Sequence, residues 1–88
     1  MTDTNPSSQL TIEQVDEVTQ KIYLDVPSSK IVLLQAIFEL HEGIGTVRTL
    51  DARQSLICIF TPNQMLDTCL ELLESIRDIV PWRPTRSL

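Results

Sequence analysis

The sequence predicts an α+β fold of two layers, in which two helices cover one face of a three-stranded sheet. Between residues 19 and 80, short segments with strand periodicity alternate with longer ones of helical periodicity, in the order strand, helix, strand, strand, helix. The third predicted strand is apolar on both faces from Leu56 to Phe60, and such strands occupy the centre of a sheet. A right-handed strand–helix–strand crossover then gives strand order 1-3-2 with both helices on one face.

The first predicted strand covers residues 21–26, where apolar and other side chains alternate. Ile22, Leu24 and Val26 form its apolar face. Pro27 ends the strand because proline lacks the N–H that a ladder requires. In a three-stranded sheet this strand is an exposed edge, and exposed edges invite pairing with another chain.

The first predicted helix starts at Ser28 or Ser29, either of which can cap it, and runs to about His41. Gly43 can follow the helix in the left-handed conformation, which carries no Cβ penalty for glycine. The apolar stripe of this helix is broad and consists of Ile31, Leu33, Leu34, Ile37, Phe38, Leu40 and His41.

A hairpin is predicted from residues 46–50 and 55–60, with a type I turn at residues 51–54. The side chain of Asp51 can accept hydrogen bonds from the backbone of that turn.

The second helix is predicted to run from Thr61 to about Val80. Thr61, Pro62 and Gln64 fit the N-cap, first and third positions of a capped helix. Pro81 ends the helix, because proline cannot continue one.

The two ends of the chain are expected to lie outside the domain, which spans residues 18–80. Residues 1–17 form an acidic extension that is disordered at its start, and residues 10–18 form a short amphipathic helix or, alternatively, an extended lead-in. Residues 81–88 form a tail containing two prolines, which disfavour a last strand. We expect Trp82 to fold back onto the core; the alternative is that it anchors a partner.

The third strand has a second apolar face that the two helices cannot cover. If Leu56, Cys58 and Phe60 face the helices, Ile57 and Ile59 face away from them. We therefore expect that face to pack on another copy of the chain or beneath the N-terminal segment. The predicted interface residues are Tyr23, Ile57, Ile59 and Trp82.

Two segments carry a resemblance to a known type of domain: VPSSKI at residues 26–31, followed by Leu34, Ile37 and Phe38, and EGIG at residues 42–45. They resemble the start of an ACT-type regulatory domain, and more closely the small uncharacterised bacterial families that share a ferredoxin-like β-α-β-β-α core. The resemblance covers about residues 20–80.

ACT-type domains bind amino acids or similar small molecules at dimer interfaces. The resemblance therefore implies ligand contacts at Ser28, Ser29, Lys30 and Gly43. Lys30 stands about where such domains usually have a glycine that lets the backbone approach the ligand.

Composition and charge exclude several classes of function. The chain has 7 Lys and Arg residues against 12 Asp and Glu residues, for a net charge of −5. Such a chain is poorly suited to nucleic acid or to an anionic membrane surface. No segment is long enough to span a membrane, and the start has neither the charge nor the apolar run of a signal peptide. We expect a cytoplasmic protein with reduced thiols.

No side chain combination predicts a catalytic, metal or cofactor site. Cys58 and Cys69 lie in apolar runs and are interpreted as core residues. His41 is interpreted as a helix-end residue. The acidic residues of the last helix are interpreted as a solvated face: Asp67, Glu71, Glu74 and Asp78.

The function that follows is a non-enzymatic, small regulatory or adaptor module that acts as a homodimer and through contacts with other proteins. The alternative is an ACT-like sensor that binds an amino acid or another small metabolite at a dimer interface.

Overall fold

The computed structural model describes residues 9–85, so the predicted disordered start and residues 86–88 lie outside the described residues. Within the described part, two helices and five strands follow in the order β1 (Thr11–Gln14), β2 (Thr19–Asp25), α1 (Ile31–Leu40), β3 (Thr46–Asp51), β4 (Leu56–Pro62), α2 (Leu66–Ser75) and β5 (Arg83–Pro84).

All five strands belong to one antiparallel sheet, so the predicted three-stranded sheet of order 1-3-2 is wrong. The order is β1-β2-β4-β3, and β5 also pairs with β2. The prediction failed because it left both ends of the chain out of the sheet. Each end contributes a short strand, and a short strand carries little periodicity for sequence reasoning to detect.

Both chain ends cover the same edge of β2. The β1 strand pairs with residues 20–23, and β5 pairs with Leu24 and Asp25. The prediction that this strand is an exposed edge is therefore wrong. The amphipathic helix preferred for residues 10–18 is also wrong, and the extended alternative describes β1.

The core lies between the two helices and one face of the sheet. In that face Ile22 is paired with Ile59, and Leu24 with Ile57. The four side chains have no exposed surface and belong to one cluster with buried residues of both helices. The cluster also includes Ile31, Leu34, Phe38, Cys69, Leu73, Ile76, Val80 and Trp82.

The expectation that Ile57 and Ile59 face away from the helices is wrong. The antiparallel register places them on the same face as Ile22 and Leu24, whose alternation with polar residues fixes which side is buried. The side chains at Leu56, Cys58 and Phe60 therefore lie on the other side, which we call the outer sheet face.

The turns around α1 are partly as predicted. Neither serine caps the helix; Ser28–Lys30 form a 3₁₀ turn, and no side chain bonds to the helix start. Gly43 adopts a positive φ of 85° in a turn closed by the Ile44 N–H and the His41 carbonyl at 3.1 Å, as expected of glycine.

In the turn between β3 and β4 the predicted role of Asp51 is confirmed, whereas the backbone hydrogen bond of the turn joins the Ser55 N–H to the Ala52 carbonyl at 3.3 Å, one residue later than predicted. The Asp51 carboxylate accepts hydrogen bonds from the backbone N–H groups of Arg53 at 3.0 Å and Gln54 at 3.4 Å.

Thr61 does not cap the second helix, because it is part of β4. Its buried hydroxyl donates to the Ile44 carbonyl at 2.7 Å, which ties the loop after α1 to the end of β4. A 3₁₀ turn, Asn63–Met65, separates Pro62 from α2, and no side chain caps either segment. The helix is accordingly shorter than predicted at both ends, and residues 76–80 form turns.

The prediction that Trp82 folds back onto the core is confirmed, since its side chain has no exposed surface. The indole Nε1–H donates to the Leu73 carbonyl at 2.7 Å. Leu73 lies in the last turn of α2, where carbonyls have no partner within the helix. Arg77 stacks on the ring at 4.9 Å and donates through Nε to the Trp82 carbonyl at 3.2 Å.

Replacing Trp82 by phenylalanine should destabilise the protein by about 1–3 kcal/mol, because the Leu73 carbonyl would be buried without its donor. Urea denaturation followed by circular dichroism measures the change. In the wild-type protein the tryptophan emission should be blue-shifted and move to the red on unfolding. Native emission at the unfolded wavelength, or equal stability of the variant, would contradict the buried hydrogen bond.

Candidate interaction surface

Helix α1 is apolar on two sides. Ile31, Leu34 and Phe38 are buried against the sheet. Gln35 and Glu39 are the only polar residues among its ten positions. A helix that is apolar all round is normally buried all round. Within residues 9–85, the side of α1 that carries Val32, Ala36 and Leu40 is exposed.

The open side of α1 carries a row of exposed apolar residues. Val32 is 74% exposed, Leu40 is 83% exposed and Leu33 is 38% exposed. Val32, Ala36 and Leu40 are four positions apart, so they form one ridge along the helix, and Leu33 lies beside it. We call Val32, Leu33, Ala36 and Leu40 the α1 stripe.

The members of the α1 stripe lie together on one side of a single helix, whereas the other exposed apolar residues belong to several elements. The others lie in the β1 strand and the loop that follows it, in the bulged β3 strand and after α2: Ile12, Val15, Val18, Leu50 and Ile79. Isolated exposed apolar side chains are normal on a protein surface. Contiguous ones mark interaction sites.

Opposite charges lie at the two ends of the α1 stripe. Lys30 immediately precedes the helix, Glu39 lies in its last turn and Glu42 follows in the loop. Lys30 and Glu42 are each six positions from Ala36, the central residue of the ridge.

The outer sheet face is covered by its own side chains. The Lys21 ammonium lies 4.9 Å from the centre of the Tyr23 ring and 5.5 Å from that of Phe60. The Tyr23 hydroxyl donates to Glu13 on β1 at 3.1 Å. Cys58, at the centre of this face, has no exposed surface. The sequence expectation was that another copy of the chain or the N-terminal segment covers this side of β4. Instead, neighbouring side chains of the sheet cover it, and one of them, Tyr23, is bonded to Glu13 of the N-terminal strand β1.

The predicted interface residues lie apart from the α1 stripe. Ile57, Ile59 and Trp82 are inside the core without exposed surface. Tyr23 lies on the outer sheet face and is 9% exposed.

The predicted ligand residues are not brought together. Ser28, Ser29 and Lys30 precede α1, and Gly43 follows it. The helix has ten residues and is about 15 Å long, so it separates the two groups.

Sequence reasoning missed Val32 and Ala36 and assigned Leu33 and Leu40 to the buried stripe. Periodicity cannot divide a helix whose residues are nearly all apolar into a buried and an exposed side. The usable signal was the composition itself, because eight apolar residues in ten are more than one sheet face can bury.

The remaining candidate residues have structural environments. His41 is exposed, and its Nδ1 lies 2.9 Å from the Ile37 carbonyl at the end of α1. Among residues 9–85 no group of three or more His, Cys, Asp or Glu side chains is placed to hold a metal ion. Within the same range no helix has the length and apolar character needed to cross a membrane.

Both thiols are unpaired and buried. Burial raises the pKa of the Cys69 thiol to about 12, and burial also raises the pKa of Cys58 despite the nearby positive charges of Lys21 and Arg48. A thiol reacts as its thiolate, so neither residue has the environment of a nucleophile.

A family model described as Domain of unknown function (DUF4911) matches residues 24–80. This range begins in β2 and ends after α2, so it contains α1 and the whole α1 stripe. Neither the curated proteins nor the solved structures include a match to this chain.

Both thiols should resist a thiol reagent in the native protein at pH 8. Burial raises the pKa of each thiol, so at this pH both remain protonated and the reactive thiolate does not form. Unfolding in guanidinium should expose both. Titration with a chromogenic disulfide before and after denaturation measures this. Rapid reaction of one thiol in the native state would show that Cys58 or Cys69 is accessible.

Proposed function

The chain belongs to the family described as Domain of unknown function (DUF4911), and we propose that it is a small, non-enzymatic regulatory or adaptor module that works as a homodimer. The α1 stripe is the proposed contact between the two copies. Its exposure is the observation that carries the proposal, since Val32 and Leu40 are more than two-thirds exposed.

The physical reason for association is the apolar area that the α1 stripe leaves in water. Complete burial of a valine or leucine side chain stabilises a protein by about 1.5–3 kcal/mol. In the isolated chain Val32 and Leu40 are mostly exposed and gain little of this burial free energy. Packing the α1 stripe against another apolar surface would bury both side chains and provide the stabilisation.

A second copy of the chain fits the α1 stripe because the stripe is self-complementary about Ala36. In an antiparallel crossing with a two-fold axis at Ala36, each copy's Val32 lies opposite the other copy's Leu40. The small side chain at the crossing point allows the helices to approach closely. Ridges formed by residues four apart pack against each other in the commonest class of helix contact.

The charges at the ends of α1 favour the same antiparallel arrangement. Lys30 and Glu42 are equally distant from Ala36, so the basic start of each helix lies near the acidic end of the other. The helix dipoles also oppose each other in this orientation, which is favourable. A parallel pairing would instead place Glu39 and Glu42 beside their own copies.

The size of α1 limits the strength of the contact. A helix about 15 Å long buries less area than the roughly 1,200–2,000 Å² of a stable interface. We therefore expect dimerisation that depends on protein concentration. Such a weak dimer suits a module that exchanges its partner.

The ACT-like sensor is the other function that the sequence suggests. Its predicted residues lie at opposite ends of α1, so they do not form one cavity within a chain. The unpaired thiols support the further proposal that the protein works in a reducing compartment, the cytoplasm.

Sedimentation equilibrium tests the dimer. The wild-type protein should approach twice the chain mass of 10.0 kDa as its concentration rises. Replacing Ala36 by glutamate should abolish association, because it places two like charges at the crossing point of an apolar contact.

The replacement of Ala52 by glutamate is the matched control. Ala52 is an exposed residue of the turn between β3 and β4, and this variant should associate like the wild type. A wild-type protein that remains monomeric at all concentrations would refute the proposal. So would an Ala36→Glu variant that dimerises normally.

A further inference from the structure

Strand β3 forms one edge of the sheet, and within residues 9–85 no strand pairs with its outer side. Its strand neighbour is β4, because the strand order ends at β3. In an antiparallel pair every second residue directs its N–H and C=O groups to the partner strand, and the residues between direct theirs away. Four of the six residues of β3 are exposed. The outer edge of β3 therefore presents backbone donors and acceptors to solvent.

The first part of this edge is regular enough to accept another strand. The register with β4 is unbroken from Thr46 to Thr49, and the bulge lies beyond it, between Thr49 and Asp51. Proteins commonly protect an exposed edge with lysine, proline or a bulge. Residues 46–49 contain neither lysine nor proline. An extended chain can therefore pair with residues 46–49 in the way that peptides add a strand to a sheet.

A pocket of about 250 Å³ lies between the start of β3 and the second half of α1. Val47 forms its apolar side together with the small exposed part of Phe38. Gln35, Glu39 and Thr46 supply its polar groups. The volume is below the roughly 300–1,000 Å³ of small-molecule sites, so the pocket suits one side chain of a longer chain.

The polar groups of the pocket are suited to a cation. The Glu39 carboxylate, the Gln35 amide oxygen and the Thr46 hydroxyl are all hydrogen-bond acceptors. Among the described residues no lysine, arginine or histidine lines the pocket. A long basic side chain fits both parts of it, because the aliphatic stem can lie along Val47 while the charged end reaches Glu39.

The charges beside this edge disfavour a second copy of the chain as its occupant. Arg48 lies opposite Cys58, so it is on the outer sheet face. Two copies paired antiparallel through β3, with their helices on the same face, would bring Arg48 close to its own counterpart. Glu39 would likewise approach the Glu39 of the other copy. Like charges opposite each other destabilise a strand pair, so the occupant is a different protein.

We propose that β3 binds an extended segment of a partner protein as an additional strand, and that the pocket beside α1 holds a lysine or arginine of that segment. Backbone hydrogen bonds supply the affinity of such a contact, and the pocket supplies its specificity. The residue next to the basic one faces Arg48 and is acidic, since successive side chains of a strand point to opposite faces.

This partner site rests on the proposed adaptor role but not on the proposed dimer. The pocket and the α1 stripe have no residue in common, because the lining on the helix consists of Gln35, Phe38 and Glu39. A chain that remains monomeric can therefore still bind the segment.

A synthetic peptide, Ser-Thr-Val-Glu-Lys-Thr with both ends blocked, carries the acidic and basic neighbours among β-branched residues that favour a strand. It is titrated against the full chain, and the backbone amide NMR signals are followed. We expect saturable shifts of residues 46–49 at peptide concentrations on the order of 1 mM, since ordering a short peptide is unfavourable. Every second amide of this segment should also become protected from hydrogen exchange by the added strand.

Two changes to the peptide separate the pocket from the strand pairing. Norleucine in place of lysine keeps the aliphatic stem without the charge and should weaken binding about threefold, as expected for a partly exposed ion pair. Methylation of alternate backbone nitrogens removes the donors on one side of the strand. One alternate set of methyl groups should therefore abolish binding, and the other should leave it nearly unchanged.

Reversing the charge of the pocket tests its specificity. Glu39→Lys should weaken binding of the lysine peptide by about fivefold or more, and it should favour a peptide with glutamate in the place of lysine. Glu71→Lys makes the same change at an exposed residue of α2 and is the matched control, which should bind like the wild type. The Ala36→Glu variant should bind the lysine peptide as well.

Any of three results would overturn the proposal. The first is the absence of a saturable shift of residues 46–49, or equal binding by the lysine and norleucine peptides. The second is equal binding by both methylated peptides, which would exclude strand pairing. The third is protection of the same amides when the protein alone is concentrated, which would assign the edge to a second copy. A wild-type chain that dimerises without binding the peptide would refute this inference and leave the dimer standing.

Discussion

The register between β2 and β4 is the constraint on which the rest of the structure depends. Pairing Ile22 with Ile59 and Leu24 with Ile57 gathers four fully buried aliphatic side chains on one face. Both helices must then pack on that face, because it is the large apolar surface of the sheet. A shift by one residue would move all four side chains to the outer sheet face.

The same register determines which apolar surfaces remain exposed to solvent. It places Lys21, Tyr23 and Phe60 on the outer sheet face, where they cover one another and Cys58. The two chain ends then close the edge of β2, and the Trp82 indole satisfies a carbonyl at the end of α2. With the sheet covered in this way, the α1 stripe is an apolar surface that the described part of the chain leaves in water.

The sequence allowed the alternation of β2, the Asp51 turn, the positive φ of Gly43 and the burial of Trp82 to be predicted, because each has a local physical signal. The orientation of β4 had none, since residues 56–60 are all apolar and give no indication of which face is buried. The residues of β1 are all exposed, so burial imposed no alternation there. The prediction that Thr61 caps α2 was wrong because its hydroxyl donates a hydrogen bond to the carbonyl of Ile44, which is distant in sequence. The α1 stripe and the pocket between β3 and α1 depend on tertiary packing, which local patterns do not encode.

The most direct test of the proposed dimer is a half-filtered NOE experiment on a mixture of isotope-labelled and unlabelled wild-type chains at high concentration. It detects only contacts between copies. A homodimer formed through the α1 stripe should give NOEs that join the Val32 methyl groups of one copy to the Leu40 methyl groups of the other, with Ala36 contacting its own counterpart. Contacts between copies through Tyr23 and Phe60, or between Leu40 and Leu40 in a parallel pairing, would contradict it.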